Sequence, residues 1–120
     1  MITDNKNVKL RVCIKGEEVF WGPGVQQIME AVVTGESLRE ACRRTGISYS
    51  KARKIINRAE KELNMVLLER QQGGKNGGLS YVTDEGKRIM VFYESLDSEI
   101  KEFAEKKYSE LRDKFFFERE

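Results

Sequence analysis

The sequence predicts an α+β fold in which helices dominate, and three observations carry that reading. Apolar residues recur at helical spacing in the longer segments, strict period-two alternation is confined to short runs, and glycine-bearing breakers separate the two kinds of segment. The 120 residues make one domain's worth of chain with an appendage. Charged residues make up 35% and the hydrophobic class 39%, with a mean hydropathy of −0.59, so the core is modest and much of the surface solvated.

From Val8 to Ile14 the chain alternates, with Val8, Leu10, Val12 and Ile14 on one side, which predicts a half-buried N-terminal strand. Gly16-Glu17 turns it. Val19-Phe20-Trp21 then leads into Gly22-Pro23-Gly24, a breaker cluster after which a helix starts. Val25, Ile28, Met29, Val32 and Val33 share one face of that helix, and Gly35 ends it.

Ser37 and Glu40 form an S-x-x-E capping box, in which serine and glutamate side chains satisfy each other's backbone amides, so a second helix begins at Leu38. Gly46 closes it early by supplying a left-handed residue. Ile47 follows as an apolar plug. Ser48 caps a third helix reaching about Asn64, with Ala52, Ile55, Ile56, Ala59 and Leu63 turned inward.

Met65-Val66-Leu67-Leu68 is a short apolar run that predicts a strand. The next segment carries four glycines between Gly73 and Gly78, and Leu79-Ser80-Tyr81-Val82 is the returning strand of a hairpin. Thr83 caps the last helix, with Asp84 and Glu85 in its first turn where the macrodipole favours negative charge. Running to about Phe116, this helix would be roughly 50 Å long at 1.5 Å per residue.

Two short helices joined through glycine, then a strand, a glycine-rich loop and a returning strand, describe a winged helix-turn-helix with an extra N-terminal strand and a long C-terminal helix. The expected organisation is a winged domain over residues 1–83 and a dimerisation helix over residues 84–120.

Charge is unevenly divided. Residues 1–38 carry −1, residues 39–75 carry +6 and residues 76–120 carry −3, so the middle third is a basic island of the kind nucleic-acid-binding elements present. The chain has no histidine, which removes the commonest general base and the commonest zinc ligand. No nucleophile-base pair or metal cluster can be named, so neither an enzyme nor a cofactor is expected. No apolar run approaches the length that spans a bilayer and no signal peptide opens the chain, so it is expected to be cytoplasmic, with Cys13 and Cys42 as thiols.

At 100° per residue, Ser50, Lys54, Asn57 and Lys61 lie opposite the apolar face of the third helix, flanked by Lys51, Arg53 and Arg58. None of these seven positions is a carboxylate, whereas an ordinary solvated helix mixes signs. The stripe suits the major groove of double-stranded DNA, where residues near the helix start reach deepest. Tyr49, Ser50, Lys51 and Lys54 are therefore assigned to base edges, and Arg53, Asn57, Arg58 and Lys61 mainly to phosphate. The alternative for Tyr49 is packing beneath the turn. Arg70 and Lys75, with Asn76 beside them, supply the wing's contacts to the backbone or minor groove; the alternative is a plain flexible hairpin. A nucleotide-binding loop is ruled out, because Lys75-Asn76 runs into a strand and not into a helix.

Gly46-Ile47-Ser48-Tyr49-Ser50-Lys51-Ala52, Leu68-Glu69-Arg70, Gly73-Gly74-Lys75-Asn76-Gly77-Gly78 and Val82-Thr83-Asp84-Glu85-Gly86 together resemble the N-terminal DNA-binding domain of ModE-type molybdate-responsive regulators; the LysR-type winged helix is a more distant likeness. The likeness runs from about Val19 to Leu96. It implies a winged domain that binds operator DNA as a dimer, with the long helix joining the subunits. In that family separate C-terminal domains bind molybdate. This sequence stops after the long helix, so molybdate binding is not expected of it.

Dimerisation is expected from the last helix itself. Ile89, Tyr93, Leu96, Ile100, Phe103, Tyr108, Leu111 and Phe115 form one apolar stripe with charges interspersed, more than a small domain can cover. The function so read is sequence-specific double-stranded DNA binding by a homodimeric transcriptional regulator, with the recognition helix at about 48–64 and the wing at about 71–79. The alternative is a winged helix that serves as a protein-protein module, its basic stripe facing an acidic partner.

Overall fold

The computed structural model describes residues 6–70 and 80–117. Their order is β1 (Ile14–Lys15), β2 (Val19–Trp21), α1 (Pro23–Val33), α2 (Leu38–Thr45), α3 (Tyr49–Leu63), β3 (Leu68–Arg70), β4 (Ser80–Val82) and α4 (Asp84–Arg112), which runs into a π-helical turn over Asp113–Phe117. Two antiparallel ribbons flank the helices: β1 pairs with β2, and β3 with β4 in the register Leu68 to Val82 and Arg70 to Ser80. The fold is the helix-dominated α+β arrangement the sequence predicts.

Each helix begins where its cap dictates. Pro23 is the first residue of α1, where its missing N–H costs nothing. Both halves of the Ser37–Glu40 capping box are present, Glu40 N donating to Ser37 Oγ at 3.1 Å and Ser37 N to Glu40 Oε1 at 3.1 Å. The Ser48 and Thr83 hydroxyls accept from Lys51 N and Gly86 N at the starts of α3 and α4.

The core gathers residues from every helix. Trp21 is fully buried and donates through Nε1 to Gln26 Oε1 at 2.8 Å, while Gln26 Nε2 donates to the Met90 carbonyl at 3.0 Å. One buried amide thus ties β2, α1 and α4 together with its polar groups satisfied. On α3, Ala52, Ile56 and Ala59 are buried and Ile55 and Leu63 half-buried, as the inward spacing predicts. On α1 the expected face shifts: Ala31 is buried, and Val33, at the last turn, is exposed.

Three expectations need correction. The N-terminal strand is only Ile14–Lys15, not Val8–Ile14, because β2 offers it three residues to pair with. Val12 instead gives its carbonyl to the Tyr93 hydroxyl at 2.8 Å. The third strand begins at Leu68 and not at Met65. Met65 and Val66 are exposed, and the Glu60 carboxylate accepts from Leu67 N at 2.8 Å and Leu68 N at 3.2 Å, fixing where the ribbon can start.

The third concerns the last helix. Ile89 and Tyr93, expected at a seam between subunits, are buried in the chain's own core. The first turns of α4 therefore pack within the winged unit, although the division at residue 83 would separate them from it. A Cβ on Gly86 would stand 2.5 Å from the Leu67 carbonyl oxygen, so only glycine lets α4 approach the wing's first strand this closely. Beyond Tyr93 the helix leaves the globular part, which gives the described chain its length of 72 Å against widths of 28 and 21 Å.

Candidate nucleic-acid interface

The two helices that would meet DNA are set by a short turn. Gly46 closes α2 at φ +78, its N–H reaching the Cys42 carbonyl at 2.9 Å, and Ile47 N shares that acceptor at 3.2 Å. A side chain would be strained at this φ. Ala41, Cys42 and Ala52 are buried where α2 and α3 cross, and their small size permits the close approach. Burial pushes the Cys42 thiol above its ordinary value, with Arg39 acting against the shift. Cys42 and the half-buried Cys13 are both free thiols.

Core packing of α3 on one side leaves Ser50, Lys51, Lys54, Asn57 and Lys61 exposed on the other, with Arg53 half-buried. Among the described residues none of these lysines forms an ion pair. The N-terminal half of the expected stripe is thus an open surface of donors.

Its C-terminal half is different. Arg58 turns toward the β1–β2 ribbon, donating to the Val19 carbonyl at 3.2 Å and pairing with Glu18 at 3.1 Å. Glu62 accepts from Glu17 N at 3.4 Å. Glu17, Glu18 and Glu62 share one depression with Lys54, Asn57, Arg58 and Lys61, so the stripe is bordered by Glu62 of its own helix and by Glu17 and Glu18 from the turn between β1 and β2. A residue-by-residue reading of α3 reaches Glu62 but not Glu17 or Glu18, because Glu18 lies forty residues before Arg58 in the sequence.

The wing is sewn to α3 at its base. Glu60 holds the Leu67 and Leu68 amides, Thr83 Oγ1 donates to the Val66 carbonyl at 2.6 Å, and Thr83 N donates to the Leu67 carbonyl at 3.0 Å. Across the ribbon, the Tyr81 hydroxyl donates to Glu69, which pushes the Tyr81 pKa up. Arg70, the last residue of β3, donates to the Tyr49 hydroxyl at 3.1 Å. Tyr49 itself is half-buried against the core, so it packs at the turn as well as facing the wing. Lys75 and Asn76 lie outside the described residues.

Along α4 the expected seam divides. Leu96 and Tyr108 are half-buried, whereas Ile100, Phe103, Leu111 and Phe115 are exposed. Phe92, Leu96, Ile100 and Phe103 line one apolar groove with Ser95 and Glu99. Among the described residues there is no group of His, Cys, Asp and Glu that could hold a metal ion, and no helix long and apolar enough to cross a membrane.

Comparison with known proteins agrees with this geometry. The chain is 29% identical over 80 residues to the DNA-binding transcriptional dual regulator ModE of Escherichia coli K12, covering 67% of this chain and 30% of that protein. It is 28% identical over 93 residues to the transcriptional regulator ModE of Haemophilus influenzae, covering 77% of this chain and 36% of that one. The chain thus spans about a third of the length of the curated relatives it matches. These relatives are transcriptional regulators, not enzymes. Residues 26–87, from the body of α1 through both helices of the turn and the wing to the first turn of α4, match the family described as bacterial regulatory helix-turn-helix protein, lysR family, and the chain belongs to that family.

Proposed function

We propose that this chain binds double-stranded DNA sequence-specifically as a homodimer and regulates transcription. The observation that carries the reading is the unpaired, exposed donor face at the start of α3, standing on a helix-turn-helix whose other side is fully used by the core. In the major groove that face brings Ser50, Lys51 and Lys54 to base edges, while Arg53, Asn57 and Lys61 sit along the flanking phosphates. Arg58 joins them by leaving Glu18, an exposed pair that holds it only weakly. Arg70 lies beside the backbone, with Lys75 and Asn76 following it in sequence in the wing.

One winged unit reads only a few base pairs, so specificity calls for a second copy at fixed spacing. The apolar groove on α4 supplies the seam through Leu96, Ile100 and Phe103, continued by Tyr108, Leu111 and Phe115. Names of the relatives support regulation of transcription.

The test is selection of bound sequences from a random duplex pool, followed by anisotropy titration of the winners. A twofold-symmetric consensus with half-sites about one or two helical turns apart is expected, with affinity falling by orders of magnitude between low and moderate salt. No enrichment and no binding to any duplex at low salt would overturn the reading in favour of an acidic protein partner.

A further inference from the structure

Three side chains from three elements meet at the end of the turn. The Arg39 guanidinium carbon lies 4.2 Å from the centre of the Tyr49 ring, and Arg70 Nη2 donates to the Tyr49 hydroxyl at 3.1 Å. Arg39 is the second residue of α2, Tyr49 the first of α3 and Arg70 the last of β3, so one ring joins both helices of the turn to the strand entering the wing. Two guanidinium groups gathered at one side chain repel each other, and a carboxylate would ordinarily offset that. Among the described residues neither has one: the neighbouring ion pairs engage Arg44 with Glu36 and Arg58 with Glu18. The electron-rich ring face offsets part of the charge of Arg39, and the hydroxyl lone pair part of that of Arg70. Among the described residues the two positive charges have no anion.

We propose that Arg39, Tyr49 and Arg70 form a clamp for the phosphodiester backbone of one DNA strand, a role that rests on the DNA-binding reading above. Each guanidinium offers a planar pair of N–H donors that matches phosphate oxygens. Tyr49 is then a positioning residue: its ring sets Arg39, its hydroxyl sets Arg70, and it fixes register instead of reading a base edge. Arg39, absent from the stripe on α3, becomes part of the interface because the turn folds α2 beside the start of α3.

The experiment is an anisotropy titration of the full chain against a random-sequence duplex of about 30 base pairs over a salt series, with circular dichroism melts of every variant. Arg39→Gln and Arg70→Gln should each flatten the logarithmic salt slope by about one unit and weaken binding roughly tenfold. Tyr49→Phe keeps the ring beneath Arg39 and removes the hydroxyl. It should weaken binding alone, add its loss in full to Arg39→Gln, and add little to Arg70→Gln. Arginine variants with the wild-type slope would overturn the clamp while leaving DNA binding in place. Full additivity of Tyr49→Phe with Arg70→Gln would remove Tyr49 as the positioning group and overturn it likewise. A wild-type chain that binds no duplex at low salt would take the DNA-binding reading down as well.

Discussion

The two halves of α4 carry the same pattern and meet different fates. From Gly86 to Tyr93 its inward residues are buried against the base of the β3–β4 ribbon, α1 and the N-terminal segment, whereas from Leu96 onward the same side of the helix lines an open groove. Tyr93 is 4% exposed and Ile100 is 40%, yet a seven-residue step turns a helix by only about 20° from a full repeat, so both point nearly the same way. What differs is the surroundings: the globular part ends, and the stripe does not. An amphipathic pattern states that a face will be covered without stating by what, and here one helix gives both answers.

The largest expected effect comes from breaking the distal half alone. Ile100→Asp combined with Phe103→Asp places two charges on each chain's side of the proposed seam, at positions the monomer does not bury. Sedimentation of the wild type should show a dimer and of the variant a monomer, with circular dichroism of the winged unit unchanged. If joined copies make the second binding event intramolecular, affinity for a two-half-site duplex should drop by roughly 10²–10⁴. A wild-type chain that sediments as a monomer at micromolar concentration would remove the dimer.

The proximal half should respond in the opposite sense, with stability lost and association spared. Glycine inside a helix costs about 1 kcal/mol relative to alanine, so Gly86→Ala ought to stabilise an isolated helix. In this fold the added methyl meets the Leu67 carbonyl at 2.5 Å and Val82 Cγ1 at 2.6 Å, and the first of these is backbone that cannot rotate away. A net loss of about 1–3 kcal/mol is expected, seen as a melting temperature lower by several degrees at every protein concentration. An unchanged or raised melting temperature would mean that α4 does not seat on the wing as described.

What was legible in the sequence divides along the same line, between local and distant causes. The Ser37–Glu40 box, the Gly46 turn, and the Ser48 and Thr83 caps each involve residues within four positions, so their spacing states their geometry. Gly86 was visible as part of a motif, but its reason, the Leu67 carbonyl above it, was not. The strand expected from Val8 failed because alternation says nothing of how long a partner β2 provides. Nothing near Arg58 in the sequence points to Glu18, which lies in the turn between β1 and β2, and Arg39 stands outside the α3 stripe because only the folded turn brings it to Tyr49. Lys75 and Asn76 stand outside what the structure describes.

The smallest effect sharpens the boundary itself. The Tyr93 hydroxyl donates to the Val12 carbonyl at 2.8 Å and, among the described residues, is the last point at which α4 holds the globular part through a hydrogen bond. Tyr93→Phe keeps the ring and leaves that carbonyl without its donor, which should cost about 1 kcal/mol. A pH titration separates this bond from simple packing. Burial foremost, then the nearby Asp97 and Cys13, push the Tyr93 pKa up, while Arg11 acts against them. A raised pKa in the fold means the unfolded chain gives up its proton first. The contribution is therefore whole below the ordinary tyrosine value, near 10, and is lost as pH rises from there through the folded value. Tyr81, also raised, by its bond to Glu69, is present in both proteins, so the difference between wild type and Tyr93→Phe isolates Tyr93. That difference should be constant from neutral pH to about pH 9 and shrink above it. A difference that stays flat to pH 11, or grows, would show that the hydroxyl does not anchor Val12.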